Sequence, residues 1–109
     1  MPPSKQDSRV LGLDVGAASL SAVELDSRGD VLSTAYLLHH GDVAGCLEAF
    51  LQGLDLSGIG GVAATTSTPA FIRPDHRFDA QVCLITSVRQ FHPDVRSILV
   101  VGGERFGLV

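Results

Sequence analysis

The stretch Val10-Leu11-Gly12-Leu13-Asp14-Val15-Gly16-Ala17-Ala18, near the start of the chain, decides the fold. Its first six residues are apolar except for one carboxylate, and the run ends in a glycine turn. A strand that is covered on both faces loses the polar alternation of a surface strand. The stretch therefore predicts a buried strand that delivers Asp14 into a tight loop at Gly16.

A second segment of the same kind, Ser97-Ile98-Leu99-Val100-Val101-Gly102-Gly103-Glu104, ends in paired glycines and an acid. Because glycine has no side chain, its backbone can approach a phosphate closely and offer N–H groups to it. A carboxylate beside such a loop can hold a magnesium ion, usually through water. Together the two segments predict two phosphate loops that face one nucleotide.

Between these segments the pattern predicts three further strands and two helices. An alternating second strand and a turn at Asp26 to Asp30 indicate that the chain opens as an antiparallel meander. Asp42 and Asp79 are suited to cap the two helices, and Gly53 and Pro93 to end them. The predicted strands are Val10–Val15, Leu20–Leu25, Val31–Leu38, Val62–Thr66 and Ile98–Val101, and the first helix runs from Val43 to Gln52.

This order of elements predicts an α/β fold with a mixed five-stranded sheet and helices packed on it. We expect the fourth and fifth strands to run parallel to the first, and the segment from Ser67 to His76 to be irregular. With 109 residues the chain is one domain at most, a lobe over residues 9–109 behind a disordered polar tail of residues 1–8. The last residues alternate like the first half of a hairpin, so we expect a missing C-terminal lobe.

Composition excludes several classes of function. The net charge is −4 and no segment concentrates lysine or arginine, which argues against nucleic acid as a partner. No run is long enough to span a membrane, and the polar start does not resemble a signal peptide. The two cysteines form no CxxC pair, so nothing suggests a disulfide framework. We therefore expect a cytoplasmic protein.

The element order, with Asp-x-Gly after the first strand and Gly-Gly after the fifth, resembles the actin, Hsp70 and sugar-kinase ATPase superfamily. Its members have a ribonuclease-H-like fold in two related halves, with ATP between them. Within it, the chain most resembles the activators of 2-hydroxyacyl-CoA dehydratases and the ATP-binding subunits of benzoyl-CoA reductases. The segments that carry this resemblance are Leu11–Gly16, His40–Asp42, Phe91–Val95 and Gly102-Gly103.

The resemblance implies a ribonuclease-H-like half-domain that binds ATP and magnesium. The ATP-binding residues would be Asp14, Gly16, Ala17, Gly102 and Gly103, with Asp14 also holding magnesium through water. In place of the family's glutamine, Glu104 would orient the attacking water. Such activators couple ATP hydrolysis to electron transfer into a partner enzyme, here a CoA-ester dehydratase or reductase component. They are homodimers that share one [4Fe-4S] cluster, and Cys83 lies where some of them have a cluster ligand.

The chain departs from the family at several positions that handle charge. Where the first loop has serine or threonine residues and then a lysine, this chain has Ala17, Ala18 and Ser21. Val100 replaces an aspartate before the paired glycines, Glu104-Arg105 replaces Gln-Asp, and Ala80 stands near the place of a glutamate. Because Lys, Asp and Glu position phosphate charge and magnesium, these departures imply impaired hydrolysis.

Each of these residues also has an ordinary structural interpretation. Asp14 and the loop glycines are typical of turns, Glu104 of a solvated loop, and Cys83 of helix packing. His39 and His40 point to opposite sides of an extended chain, so we interpret them as loop residues. Two alternative functions stay open: a non-catalytic interaction module of the same fold, and a sugar-kinase-like lobe.

Overall fold

The computed structural model describes residues 8–101 and 106–108. Seven strands and two α-helices follow each other along this part of the chain, with a short 3₁₀ helix (Leu56–Gly58) before the fourth strand. The elements are β1 (Arg9–Val15), β2 (Ser19–Leu25), β3 (Val31–Leu38), α1 (Val43–Gln52), β4 (Ile59–Thr65), β5 (His76–Phe78), α2 (Ala80–Phe91), β6 (Leu99–Val101) and β7 (Phe106–Leu108).

Five of these strands form one mixed sheet in the order β3-β2-β1-β4-β5. Strands β1, β2 and β3 are an antiparallel meander, and β4 runs parallel to β1 on its other side. The α/β fold, the mixed five-stranded sheet, the meander and the central position of the first strand are thereby confirmed. Because β1 has neighbours on both sides, Asp14, near its carboxyl end, lies between other strands and not at the outside of the sheet.

Both helices begin and end where the sequence predicts. The Asp42 side chain accepts a hydrogen bond from the backbone N–H of Gly45, and Gly53 follows the last residue of α1. Asp79 accepts from the N–H groups of Gln81 and Val82 at the start of α2. A capping carboxylate satisfies N–H groups that the first helical turn leaves without partners.

The apolar core lies on one face of the sheet, beneath α1. Alternate residues of a strand face the same side, so Leu11, Leu13 and Val15 of β1 share this face. Leu20 of β2 is completely buried there, with 0% of its surface exposed. Helix α1 covers these residues with the side chains of Val43, Cys46, Leu47, Phe50 and Leu51.

Helix α2 lies over the opposite face. Gly12 and Asp14 belong to that face, and they line a cleft together with Cys83 and Leu84 of α2. The sheet is thus sandwiched between the two helices, and its two faces differ in character. The α1 face is a packed core, whereas the α2 face keeps an open space beside Asp14.

One prediction about the sheet is wrong. The fifth strand is not Ile98–Val101 but β5, which pairs in parallel with β4. The predicted segment forms only the three-residue strand β6, which pairs antiparallel with β7 in a separate hairpin. A strand as short as His76–Phe78 shows too little alternation to be recognised, and it borders a segment predicted to be irregular.

The residues around β5 already bond to the outer side of β4, which explains why Ile98–Val101 does not pair there. Asp75 donates its N–H to the carbonyl of Val62 at 2.8 Å and accepts the N–H of Val62 on its carboxylate at 2.7 Å. The N–H of Thr66 bonds to the carbonyl of Phe78 at 2.9 Å. These bonds occupy the N–H and C=O groups that a later strand would need. In the part of the chain that the structure describes, β6 therefore does not pair with any strand of the five-stranded sheet.

The end of the sheet opposite Asp14 is closed by a half-buried ion pair. Arg9 of β1 donates to Glu24 of β2 at 2.5 Å, and the hydroxyl of Ser33 on β3 lies 3.4 Å from the same carboxylate. Arg9 also donates to the backbone carbonyl of Asp55, just before the 3₁₀ helix. Three strands and the α1–β4 connection are fixed to one another at this end.

Truncation of Leu20 to alanine should destabilise the domain strongly. The side chain is fully buried between the sheet and α1, so Leu20→Ala should lower the free energy of unfolding by about 2–5 kcal/mol, through lost burial and the cavity left behind. Urea denaturation followed by circular dichroism measures this. Leu56→Ala is the matched control, because Leu56 is 51% exposed and its loss should change stability by only about 0.5 kcal/mol. Equal effects of the two variants would contradict the position of the core.

Candidate functional site

Asp14 lies at the carboxyl end of the central strand β1, next to Ser21 of β2 in the strand register. The hydroxyl of Thr65, at the end of β4, donates to Asp14 Oδ1 at 2.8 Å. Asp14 is exposed, and no side chain among the described residues pairs with its second oxygen. Its carboxylate is therefore held in one orientation with one oxygen left for another ligand.

A cluster of three hydroxyls supports this carboxylate from the loop after β4. Thr65 Oγ1 lies 3.1 Å from the hydroxyl of Ser67 and 3.2 Å from that of Thr68. Ser67 donates to the carbonyl of Val15 at 3.2 Å, and Thr68 accepts the N–H of Val15 at 3.3 Å. The loop after β4 is thus bonded directly to the end of β1, at Asp14 and at Val15.

Arg77 of β5 holds the same loop from its far side. Its guanidinium donates to the backbone carbonyls of Thr68 at 2.6 Å and Pro69 at 3.1 Å, and also to the carbonyl of Ile72. One planar cation therefore fixes three carbonyls that would otherwise point in unrelated directions. Sequence analysis missed this role, because nothing local distinguishes Arg77 from a surface arginine.

The turn after β1 is fixed by His39, which lies just after β3. His39 is buried, with 6% of its surface exposed. Its ring atom Nε2 lies 2.9 Å from the carbonyl oxygen of Gly16, and its backbone N–H donates to the carbonyl of Ala18 at 3.1 Å. We predicted a loop residue at this position, and the structure adds that its side chain supports the turn.

The hydrogen bonds of His39 identify its tautomer. The backbone N–H of Gly41 donates to Nδ1 at 3.0 Å, so Nδ1 is the acceptor and carries no proton. Nε2 then carries the ring proton and donates to Gly16. Gly41 has a φ of 84°, and His40 before it has a φ of 51°, which is the left-handed turn that brings the Gly41 N–H back onto the ring.

This arrangement orients the peptide groups of the turn. In a trans peptide the C=O and the N–H point in opposite directions. Because the Gly16 carbonyl points at His39, the N–H of Ala17 points away from it. Among the described residues, this N–H has no partner. The turn therefore presents a free backbone donor three residues after Asp14, which is the type of group that binds phosphate oxygens.

The fold itself does not require glycine at position 16. Its φ is not positive, and a Cβ built there would meet nothing nearer than the Ser19 carbonyl oxygen at 3.9 Å. An alanine would therefore fit the backbone and the space. A side chain would, however, cover part of the surface beside the free N–H of Ala17.

Cys83 lies across the cleft from Asp14. The cleft has a volume of about 400 Å³ and is mainly apolar, with polar groups at Asp14, Ser21, Thr65 and Ser87. Burial raises the pKa of the Cys83 thiol above its ordinary value, and the negative charges of Asp14 and Asp79 raise it further. The thiol is therefore protonated at neutral pH and is a poor nucleophile there.

The residues of this chain do not assemble a [4Fe-4S] site. Such a cluster takes four thiolates, and the sequence has two cysteines. Cys46 packs against the core beneath α1, whereas Cys83 faces the cleft beneath α2, so the sheet separates them. A symmetric pair of chains would bring two copies of Cys83 at most.

The donor set around Asp14 is suited to magnesium bound through water. No group of three or more His, Cys, Asp or Glu side chains comes together in the described residues, which excludes a cage of such ligands there. Magnesium typically takes one or two carboxylates, several waters and the phosphates of a substrate. The free oxygen of Asp14 and the hydroxyls of Thr65 and Ser67 fit that pattern.

The structure brings together only some of the predicted site residues. Asp14, Gly16 and Ala17 lie at one end of the sheet, and Cys83 borders the cleft that Asp14 also lines. Gly102, Gly103 and Glu104 lie outside the described residues, so the second phosphate loop stays a prediction. The supporting side chains His39, Thr65, Thr68 and Arg77 were not foreseen, although the polar run from Thr65 to Thr68 after an apolar strand was a usable signal.

Comparison with known proteins confirms the fold. No protein-family model and no curated protein matches the sequence. Among solved structures, the activator of the 2-hydroxyisocaproyl-CoA dehydratase from Clostridium difficile, with bound ADPNP, gives a TM-score of 0.72 at 19% identity, covering 93% of this chain and 45% of that one. Component A of the (R)-2-hydroxyglutaryl-CoA dehydratase from Acidaminococcus fermentans gives 0.78 at 14%, covering 94% and 42%.

A third solved structure comes from another branch of the same fold. The ROK family protein from Streptococcus pneumoniae, in complex with sucrose, gives a TM-score of 0.57 at 14% identity, covering 92% of this chain and 44% of that one. The chain therefore has the actin-like ATPase fold, and it spans less than half the length of each of these proteins.

Replacing His39 should destabilise the domain through the loss of its two ring hydrogen bonds. His39→Ala leaves the Gly16 carbonyl and the Gly41 N–H without partners, and this should cost about 1–3 kcal/mol in the free energy of unfolding. Urea denaturation measures the loss. His40→Asn is the control, since His40 is exposed and asparagine tolerates its left-handed backbone. A loss below about 0.5 kcal/mol for His39→Ala would show that the turn holds its shape without the ring.

The electrostatic effect of Asp14 on the Cys83 thiol can be tested by thiol chemistry. Because Asp14 helps to raise the pKa of Cys83, Asp14→Asn should increase its thiolate fraction and its rate of alkylation by iodoacetamide at pH 8. Peptide mapping separates Cys83 from Cys46. Asp30→Asn removes a charge from an exposed turn and should leave the rate unchanged. Equal rates in the wild type and Asp14→Asn would contradict the electrostatic contact.

Proposed function

We propose that this chain is a nucleotide-binding lobe of an activator-type ATPase, and that it binds ATP weakly and hydrolyses it poorly. One observation carries the proposal. The turn after β1 offers the unpartnered N–H of Ala17 beside Asp14, whose carboxylate keeps one oxygen free. A hydrogen-bond donor suited to phosphate and an oxygen suited to magnesium thus lie at the same end of the central strand β1.

The residues around the turn explain how ATP would be held. The N–H of Ala17 would donate to a phosphate oxygen, and His39 would keep that N–H pointing away from its own ring. Asp14 would hold the waters of a magnesium ion, with Thr65 fixing its orientation. The metal supplies charge neutralisation on the phosphates. Thr65 already holds the Asp14 carboxylate, and His39 already holds the peptide group between Gly16 and Ala17. Little reorganisation would therefore accompany binding.

The fold does not require glycine at position 16, and this supports the same function. An ordinary turn with negative φ and free space does not select glycine. A phosphate that approaches the backbone closely does select it, because a Cβ would lie in its path. Gly16 is therefore better explained by a ligand than by the fold.

Weak binding and poor hydrolysis follow from the neutral surroundings of the site. Ser21, directly opposite Asp14 on β2, places a hydroxyl where the resemblance expects a lysine. No lysine at position 21 then balances the phosphate charge beside Asp14. Phosphoryl transfer depends on such positioned charges more than on any covalent step, so their loss lowers turnover more than binding.

The wider role follows by similarity to the two dehydratase proteins. The chain covers less than half of their lengths, so a second lobe would supply the other wall of the ATP site. We propose a CoA-ester dehydratase or reductase component as the enzyme served, and the cytoplasm as the compartment. Within the described residues, no helix is both long and apolar enough to cross a bilayer.

A non-catalytic interaction module is the second candidate. It is favoured by the apolar lining of the cleft beside Asp14 and by the protonated Cys83 thiol, neither of which serves phosphate chemistry. Likeness to the ROK family protein leaves a sugar-kinase-like lobe as a third. The binding experiment below separates the nucleotide-binding candidates from the interaction module.

Mg-ATP should bind this chain with a dissociation constant weaker than about 0.1 mM, and phosphate release should be undetectable. Gly16→Ala should weaken binding further with little loss of stability, because its Cβ has space in the fold but not beneath a phosphate. Ser21→Lys should tighten binding several-fold by adding a cation beside the turn. Isothermal titration calorimetry and a phosphate-release assay measure these effects.

The control for charge is Gln52→Lys, which adds the same charge at the exposed end of α1 on the other face of the sheet. It should leave ATP binding unchanged. If neither the wild type nor Ser21→Lys binds Mg-ATP at millimolar concentration, the proposal is wrong and the interaction module is favoured. Turnover that Asp14→Asn abolishes would show that the neutral positions do not impair hydrolysis.

A further inference from the structure

The cleft between α2 and the sheet has a lining that phosphate chemistry does not explain. Its volume is about 400 Å³, and the strand register sets its floor. Gly12 is paired with Val23 on one side and with Ala63 on the other, so these three residues share a face of the sheet. Asp14 lies on that face two residues further along β1. Because Gly12 and Ala63 are small, they leave a space above the floor that larger side chains would fill.

Helix α2 covers this floor without filling the space. Cys83 and Leu84 line the cleft and are half-buried, and no residue of α2 is fully buried. Protein interiors are normally packed as densely as organic crystals, with few voids larger than a water molecule. An apolar space of this size suits water poorly, because an ordered water needs several polar partners. The cleft is therefore suited to a ligand with an apolar body.

The polar groups of the cleft meet at the carboxyl end of β1. Ser21 lies opposite Asp14 in the register, and Thr65 lies at the end of β4. Thr65 donates its hydroxyl proton to one oxygen of Asp14, which leaves the second oxygen as an acceptor. The Ser21 hydroxyl has no hydrogen-bond partner among the described residues, so it is able to accept as well. This end of the cleft thus offers acceptors, whereas the floor around Gly12 is apolar.

The charge inside the cleft is negative. Among the residues that the structure describes, Asp14 is the only charged one in the lining. Arg77 lies on the other face, because it is paired with Ala64, which belongs to the core beneath α1. Burial raises the pKa of the Cys83 thiol, and the charges of Asp14 and Asp79 raise it further. A negative field without a lining cation disfavours an anion in the cleft and favours a cation.

We propose that this cleft binds a small primary amine with an aromatic body, its ring between α2 and the sheet and its ammonium on Asp14 and Ser21. An ammonium group has N–H donors and no acceptor, which matches an end of the cleft that offers acceptors and a negative charge. Its bond to the carboxylate is charge-assisted and about twice as strong as a neutral hydrogen bond. This ligand goes beyond the proposed nucleotide binding and does not depend on it, although both would use Asp14.

The shape of the cleft favours a ring over a thin chain. The space lies between the face of a sheet and the side of a helix, so a flat ring contacts both layers at once. A simple alkylamine, or a lysine side chain from another protein, has too little apolar surface to do so. Because the gain from burial rises with the apolar area removed from water, the ring should dominate the affinity.

Titration with 2-phenylethylamine tests the proposal directly. At neutral pH, where the amine is charged, NMR of the nitrogen-15-labelled chain should show saturable shifts of the amides of Gly12, Ala63 and Cys83. Phenylacetate has the same ring with the opposite charge, and 1-butylamine has the same charge without the ring. Each should bind at least about tenfold more weakly. No magnesium or nucleotide is present, so a failure of ATP binding would leave this result unaffected.

Two pairs of variants locate the ligand. Asp14→Asn removes the charge at the polar end and should weaken binding of 2-phenylethylamine at least about tenfold, whereas Asp30→Asn, in an exposed turn, should leave it unchanged. Ser87→Phe adds a ring to the lining of the cleft and should weaken binding by a similar factor. Val82→Phe adds the same ring at a position of α2 that is 54% exposed and does not line the cleft, and it should have no effect.

The proposal is overturned if millimolar 2-phenylethylamine gives no saturable shifts at those amides, or if either analogue binds as tightly. It is also overturned if Asp14→Asn or Ser87→Phe, shown to be folded by circular dichroism, binds the amine as the wild type does. The comparison of the three ligands on the unaltered chain decides the question even where a variant does not fold. Preference for 2-phenylethylamine over both analogues, lost in Asp14→Asn and kept in Asp30→Asn, supports the proposal.

Discussion

The parallel pairing of β1 with β4 is the constraint on which the rest of the structure depends. It brings the end of β1, with Asp14, beside the end of β4, with Thr65, and the bond between the two side chains follows from that proximity. The meander fixes β1 from its other side, so its end cannot shift. The two helices then cover the two faces that this pairing creates. A core forms on one face, and a cleft on the other.

The sequence allowed the main elements to be predicted because local signals agreed with the fold. Asp42 and Asp79 are good helix caps, Gly53 ends α1, and the apolar run to Val15 could only be a covered strand. β5 was missed since three residues carry no periodicity. The pairing of β5 with β4 is fixed by Asp75. The bonds of Asp75 to Val62 depend on a chain reversal over more than ten residues. No local pattern encodes such a contact.

The same distinction applies to the site. Asp14, Gly16 and Ala17 were found because they are contiguous and follow a strand. His39 and Arg77 were not found, because each acts on a backbone carbonyl far from its own place in the sequence. A histidine or an arginine that holds a carbonyl looks in sequence like one that faces solvent. The resemblance to activators suggested the ligand that we propose, and the structure identified the groups that keep the turn in shape.

The hydroxyl cluster has a consequence for how the domain folds. Its bonds join residues 14 and 15 to residues 65, 67 and 68. The bonded residues are 51 to 53 positions apart along the chain. Contacts of such long separation cost loop-closure entropy, and no isolated segment of the chain can form them. The arrangement around Asp14 therefore exists only in the folded domain. Any molecule that recognises this arrangement binds the native state alone, and it stabilises the whole domain by an amount that rises with the logarithm of its concentration relative to its dissociation constant. Thermal stability of this domain is in that sense a direct reporter of ligand occupancy.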